Sequence, residues 1–197
     1  MEITVSKTRE KLIEVARLLF ARKGVENTTM NDISQASEKG RRTLYTYFKS
    51  KNEIFRAVTE SELSIILISL NEVVKKDIPA DRKLLEFIDV RLQTVKDVVF
   101  RNGTLRADFF RDIWQVENVR KNIDRKEVQF IEKILSDGIE EGIFQIEDTS
   151  ITAEILHYAF KGLEVPYIKG TIANLRRENE QRIKSIIDLM FYGILKK

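Results

Sequence analysis

The sequence predicts an all-α protein, a three-helix module of about 50 residues followed by a larger helical domain, and three observations carry that prediction. Apolar residues recur at i, i+3, i+4 spacing along most of the chain, and no segment alternates apolar and polar residues over the length of a strand. Two prolines and eight glycines in 197 residues leave few places for loops. Hydrophobic residues at 43% beside charged residues at 33% describe a chain able to bury a sizeable core beneath a solvated surface.

From Lys7 to Arg22, residues Leu12, Ala16, Leu19 and Phe20 share one face, and "ARKG" closes this first helix with basic residues ahead of Gly24. Thr28 and Thr29 precede "MNDISQAS", where Asp32 stands three residues after Thr29, as in a capping box, and Ile33 and Ala36 form an apolar pair. "SEKG" interrupts the pattern. "RRTLYTYF" then places Leu44, Tyr47 and Phe48 together as the inward face of a short third helix. Ser50 with Glu53 opens a long helix to about Lys76, with the predicted apolar face Ile54, Ala57, Val58, Ser61, Ile65 and Ile68.

Pro79 suits the opening of the next helix, which Leu84, Leu85, Ile88, Leu92, Val95 and Val99 carry to Phe100 before a turn at "RNG". Two separate helices are expected next, "LRADFFRDIWQVEN" and "KEVQFIEKILSDGIEEGIF". Helices at about 149–169 and about 176–195 close the chain, and Pro166 is expected to kink or end the first of them.

Without cysteine the chain has no disulfide, thiol nucleophile or thiolate metal site, and a reducing compartment, the cytoplasm, is expected. The N-terminal residues lack the apolar core of a secretion signal, and the longest near-apolar run, "LSIILISL", is far too short to span a bilayer. One histidine, no Gly-x-Ser-x-Gly, no phosphate loop and no carboxylate–histidine cluster at metal-ligand spacing argue against an enzyme, and no metal or cofactor is expected. Charge is uneven. Residues 1–55 hold 11 Lys/Arg against seven Asp/Glu (net +4), and the remainder holds 23 against 24 (net −1). A basic front ahead of a near-neutral remainder fits a polyanion partner at the front.

The second helix, its break and the third helix, within roughly 20 residues, match a helix-turn-helix whose second helix enters the DNA major groove. Arg41 and Arg42 stand at the start of that helix as forked donors for phosphate or guanine edges. Thr43, Tyr45 and Thr46 project from faces that Leu44 and Phe48 do not use, and Lys51 can reach the backbone beside them. A basic cluster alone is more often a solvated face.

The stretch "ARLLFARKGVENTTMNDISQASEKGRRTLYTYFKSKNEIFRAV" resembles the N-terminal domain of the tetracycline-repressor (TetR) family of bacterial transcription regulators. The resemblance rests on the Phe20…Gly24 helix end, the Thr28-Thr29 cap, Ile33 and above all "TLYTYFKSKNEIF". It implies that Tyr45 and Lys51 contact DNA phosphates, that Thr29 and Met30 lie at the contacting end of the second helix, and that Arg41, Arg42, Thr43 and Thr46 face the groove. Lys39 and Gly40, at the turn, complete the candidate DNA-binding set. Where the family usually has Gly in the turn this chain has Glu38, and Gly40 is expected to relieve strain and to serve as N-cap. The implied domains are 1–50 for DNA binding and 51–197 for effector binding and dimerisation.

In the back domain, Phe87, Arg91, Phe109, Phe110, Trp114, Phe130, His157, Tyr158 and Phe160 are the candidates to line an effector pocket, although aromatics at helical spacing also describe plain core. Ile183, Ile187, Met190, Phe191 and Ile194 form a broad stripe on the last helix, which fits either core packing or self-association. The resemblance adds pairing of the last two helices across a two-fold axis, with Ile155, Ala159, Gly162 and Leu163 on the penultimate one. It thus implies a homodimeric regulator on double-stranded DNA with a palindromic operator, acting as a repressor that a small-molecule effector releases. A nucleoid- or division-associated DNA-binding protein of the same fold, with no effector, is the alternative.

Overall fold

The computed structural model describes residues 6–102 and 113–169, with 113–120 as backbone alone. All described elements are helical: α1 Lys7–Lys23, α2 Met30–Ala36, α3 Arg41–Tyr47, α4 Lys51–Val74, α5 Ala80–Arg101, α6 Ile113–Glu140 and α7 Thr149–Ile168. The chain divides into two compact units, Met1–Leu67 with Asp97–Arg125, and Ile68–Lys96 with Lys126–Lys197. The helix expected at about 176–195, with Ile183, Ile187, Met190, Phe191 and Ile194, lies outside the described residues, as do Phe109 and Phe110.

In the first unit α1 packs on α2 and α2 on α3. Leu12, Ala16 and Phe20 of α1, Ile33 of α2, Leu44 of α3 and Ile54 and Val58 of α4 are fully buried in one cluster. Phe20 meets Phe55 edge to face at 6.1 Å. The buried stripe of α4 departs from the expected face. It runs through Ile54, Val58, Glu62, Ile66 and Leu70, while Ser61 and Ile68 are exposed, Ile68 by 62%. Reading the stripe from sequence passes over Glu62 because it is charged. The structure keeps the stripe on course because Glu62, only 1% exposed, is neutralised in place. Arg101 Nε donates to its Oε2 at 2.8 Å and Arg101 Nη2 to its Oε1, Arg17 Nε stands 3.8 Å away, and the Asn102 amide donates to it as well. Arg17 is itself held by Glu14 at 2.6 and 2.8 Å. A single carboxylate of α4 therefore ties down α1 and the C-terminal end of α5.

In the second unit Leu70, Val73, Leu84, Phe87, Ile88, Leu92, Ile131, Ile134, Ala153 and Phe160 are buried. Pro79 immediately precedes α5 and its carbonyl accepts from Lys83, so its missing donor costs nothing there. Of the first expected helix after α5, residues 105–112 lie outside the described residues, and from Ile113 it is one helix with the second. The stretch between them, "VRKNIDR", continues the helix without a break, and α6 runs 28 residues from Ile113 to Glu140. Charged residues there break the apolar pattern without containing a Gly or Pro to break the backbone. Gly138 of α6 lies against Phe144, whose ring occupies the space a Cβ would take, with Ala80 Cβ 3.0 Å from that point. Asp148 caps α7 by accepting from Ile151 N at 2.9 Å. Pro166 sits inside the last turn of α7, which ends two residues later at Ile168.

Candidate nucleic-acid interface

The start of α2 is fixed by its own side chains. The Thr29 hydroxyl accepts from Asp32 N at 3.1 Å and Asp32 Oδ2 accepts from Thr29 N at 2.9 Å, a complete capping box. The Thr29 amide and hydroxyl, with Lys23 3.6 Å away, hold the Asp32 carboxyl below its ordinary value. At the start of α4 the pattern is shifted by one residue. Ser50 Oγ accepts from Glu53 N at 3.3 Å, but Glu53 reaches the amide of Lys49 at 2.6 Å rather than that of Ser50.

Gly40 is the N-cap of α3, as expected, but at φ −59° it relieves no strain. The left-handed residue of the turn is Glu38, at φ 57°. Bonds on both sides hold it there. Glu38 N donates to Gln35 O at 3.1 Å, Lys39 N to Ser34 O at 3.2 Å, and Ser34 Oγ to Lys39 O at 2.7 Å. The side chain is solvent-facing, with Lys11 Nζ 3.5 Å away. A left-handed residue with a Cβ costs roughly 1–2 kcal/mol, an exposed ion pair offsets roughly 0–1, and glycine would add backbone entropy of about 0.5–1 to the unfolded chain. Glu38→Gly is therefore expected to change thermal stability by between about −1 and about +1.5 kcal/mol. A loss larger than about 1 kcal/mol in thermal melts would instead assign the carboxylate a stabilising role.

Two anchors set the rotation of α3. Leu44 is fully buried and Phe48, just past the helix, is 3% exposed, with the Arg9 guanidinium 5.3 Å above its ring. Tyr47 is half-buried, and its hydroxyl is 2.9 Å from Ser6 Oγ. With that face committed, Arg41, Arg42, Tyr45 and Thr46 are exposed, along with Gly40 and Thr29, while Met30, Lys39 and Thr43 are half-buried. The Thr46 hydroxyl donates to Arg42 O at 3.0 Å. Lys49, absent from the expected set, is exposed beside α3 with Nζ on Tyr45 O at 3.2 Å. Its position two residues before Lys51 in "FKSK" was the available signal. Lys51 is half-buried, and its Nζ donates to the carbonyls of Val25 at 2.8 Å and Glu26 at 3.3 Å.

The expected pocket residues fall into two groups. Phe87, Arg91, His157 and Phe160 are buried in the second unit, and Phe130 is half-buried. Tyr158 faces outward at 67% exposure, edge-on to the His157 ring. Trp114 lies on α6 where only backbone is described. Arg91 and His157 belong to a buried polar cluster that sequence reading did not assemble. Arg91 Nε donates to Glu127 Oε2 at 2.9 Å, Arg91 Nη2 to Glu164 Oε1 at 2.7 Å, and His157 Nδ1 stands 3.1 Å from Glu127 Oε2. Burial pushes the Glu127 carboxyl up, but the His157 hydrogen bond and the Arg91 guanidinium outweigh it and leave the group below its ordinary value. Burial likewise disfavours charge on Arg91, and the two glutamates more than restore it.

Of the expected pairing residues on α7, Ile155 is 62% exposed, Ala159 and Gly162 are exposed, and Leu163 is half-buried. Among the described residues no group of His, Asp and Glu could hold a metal ion, and no helix is long and apolar enough to cross a membrane.

A short helix anchored by two buried residues, with its arginines and hydroxyls outward and a capped helix ahead of it, is the arrangement of a helix-turn-helix DNA-binding module. Residues 12–58 match the model for bacterial regulatory proteins of the tetR family. The chain is 28% identical over 142 residues to an uncharacterised HTH-type transcriptional regulator, YfiR, of Bacillus subtilis, covering 71% of this chain and 69% of that one. Over 168 residues it is 26% identical to the "Probable acrEF/envCD operon repressor" of Escherichia coli, covering 80% and 74%. A TetR/AcrR-family transcriptional regulator from Thermobifida fusca shares the fold at a TM-score of 0.71 and 18% identity, over 97% of this chain and all of that one.

Proposed function

We propose that this protein is a homodimeric repressor that binds a palindromic operator through residues 1–50 and releases it when a small molecule binds within residues 51–197. The observation that carries the DNA-binding half is the division of α3, with Leu44 and Phe48 buried and Arg41, Arg42, Tyr45 and Thr46 exposed. With Thr29, Met30, Lys39, Gly40 and Thr43, these residues would make the groove and phosphate contacts. Pairing is supported by an apolar stripe on α7, Ile151, Ile155, Tyr158 and Val165, exposed by 58, 62, 67 and 43%. Gly162 lies on the same face with open space where a Cβ would stand. Those residues recur at 151, 155, 158, 162 and 165, one face of a helix. A dimer would present two recognition helices to half-sites about 34 Å apart. The operon repressor of Escherichia coli supports repression as the mode of action.

Selection of genomic fragments by the purified protein tests this reading. A preferred fragment whose affinity falls steeply as salt rises is expected. Failure to prefer any fragment over random duplex at low or moderate salt would overturn it. Arg41→Ala and Arg42→Ala are each expected, where the arginine reads a guanine, to cost about 1–3 kcal/mol and relax preference at one base pair. Equal loss on operator and random duplex assigns that arginine to phosphate.

A further inference from the structure

We infer that His157 stands in the folded protein as an imidazolium, the second cation of a buried four-residue cluster, and that the proton it carries locks α7 onto α5 and α6. Three helices bring the cluster together, with Arg91 from α5, Glu127 from α6, and His157 and Glu164 from α7. Arg91 and Glu127 are each 2% exposed and His157 is 1% exposed, while the Glu164 side chain is exposed by 19%. Arg91 Nε and Nη2 engage one carboxylate each, at 2.9 and 2.7 Å. One guanidinium therefore faces two carboxylates. With a neutral imidazole the cluster would hold one negative charge away from water, and with an imidazolium the charges balance.

Chemistry and placement decide which group takes the balancing proton. An imidazole binds a proton about two pH units before a glutamate does. Glu127 Oε2 already faces Arg91 Nε at 2.9 Å and His157 Nδ1 at 3.1 Å, so a proton on that oxygen would point at other donors. Burial pushes the Glu127 carboxyl up, and the largest of the opposing effects comes from His157, ahead of Arg91. Glu164, the least buried member, keeps some contact with water. The surroundings do not supply the missing cation. The other buried lysine of this unit, Lys83, lies eight residues before Arg91 on α5 and 3.9 Å from Asp137. Along α7, Glu154 is exposed and Lys161 half-buried, one turn to either side of His157, and Asp124 stands one turn before Glu127 on α6. These flanking groups, two acids and one base, leave the balance negative. The buried residues of α4 in this unit, Leu70, Val73 and Val74, are apolar. On its other face α7 turns Ile151, Ile155, Tyr158 and Val165 to solvent. Loss of the proton leaves an uncompensated carboxylate beneath that helix and loosens its seat, so pairing through the stripe weakens as well, a consequence that rests on reading α7 as a pairing helix.

The chain has one histidine, so its ring gives a single assignable pair of nitrogen resonances by NMR. In tag-free protein both ring nitrogens are expected to read as protonated at pH 7.5, where a free imidazole is about nine-tenths neutral. The pattern of a neutral tautomer at that pH overturns the inference. His157→Gln keeps a donor for Glu127 but cannot take up a charge. An imidazolium favoured by folding contributes stability that is complete below the ordinary imidazole value and is lost as pH rises through the folded one. The wild-type folding equilibrium constant, from urea denaturation, is therefore expected to fall by about tenfold per pH unit from pH 7 up to the midpoint seen in the resonances, while that of His157→Gln stays level. Parallel profiles overturn the inference. Should the variant not fold, the wild-type resonances decide alone. Light scattering of wild-type protein over the same range is expected to show a dimer that weakens as pH rises, and a dimer unmoved by pH overturns the link to pairing. Protein monomeric at every pH would instead overturn the pairing reading, with the charge of His157 still decided by its resonances.

Discussion

Ile155→Glu is expected to leave the protein monomeric by light scattering and to weaken operator binding by about 10²- to 10⁴-fold, the avidity lost when two linked half-site contacts become one. Ile155 sits at the middle of the exposed stripe of α7, 62% exposed, so a carboxylate there disturbs no packing within the second unit. It would instead place a pair of like charges near the two-fold axis of the proposed dimer, where desolvation makes them costly. Thermal stability of the variant at low protein concentration should match that of wild type. An Ile155→Glu protein that remains dimeric and binds operator normally would remove α7 from the pairing surface.

Arg91→Met is expected to cost about 3–5 kcal/mol at neutral pH, because it leaves the Glu127 carboxylate buried without its guanidinium. Arg91 and Glu127 are each 2% exposed, so water cannot substitute. The pH dependence identifies the cause. In the wild type Glu127 is held below its ordinary value, so it contributes stability that is present above its unfolded pKa and lost as pH falls through its folded one. In the variant Glu127 and Glu164 stand beside His157 without the guanidinium, and proton uptake by that cluster relieves the uncompensated buried charge, so acidification favours the folded state. The gap between the two proteins in urea denaturation should therefore narrow from pH 7 toward pH 5. A gap of constant size would attribute the loss to packing alone.

What the sequence made legible is what local chemistry dictates. The capping box at Thr29 and Asp32, the N-cap at Gly40 and the inward trio of Leu44, Tyr47 and Phe48 depend on neighbours within four residues, and all appear in the structure. The groups that escaped are charged residues standing at core positions of their own helices. Arg91 lies seven residues from both Leu84 and Val98, Glu127 continues the stripe of Ile131 and Ile134, and Glu164 that of His157 and Phe160. Their register was readable, but their partners come from three different helices, and periodicity along one helix carries no information about the others. Glu62 escaped in the same way. The turn misled for a different reason. Glycine tolerates a left-handed backbone, yet the chain closes that turn at Glu38, where the hydrogen bonds of Ser34 and Gln35 fall.

Glu62 also limits how α4 can move. Its carboxylate engages Arg101, Asn102 and Arg17 from one fixed point on the helix, with Val58 one turn before it and Ile66 one turn after. An axial slip of one turn, about 5.4 Å, would bring an aliphatic side chain to the arginines and carry the carboxylate into apolar surroundings, a doubly unfavourable exchange. The charge works as a tooth in a rack. It admits tilt and small rotation of α4 while forbidding translation, so any message carried along this helix to the recognition module travels as a change of angle.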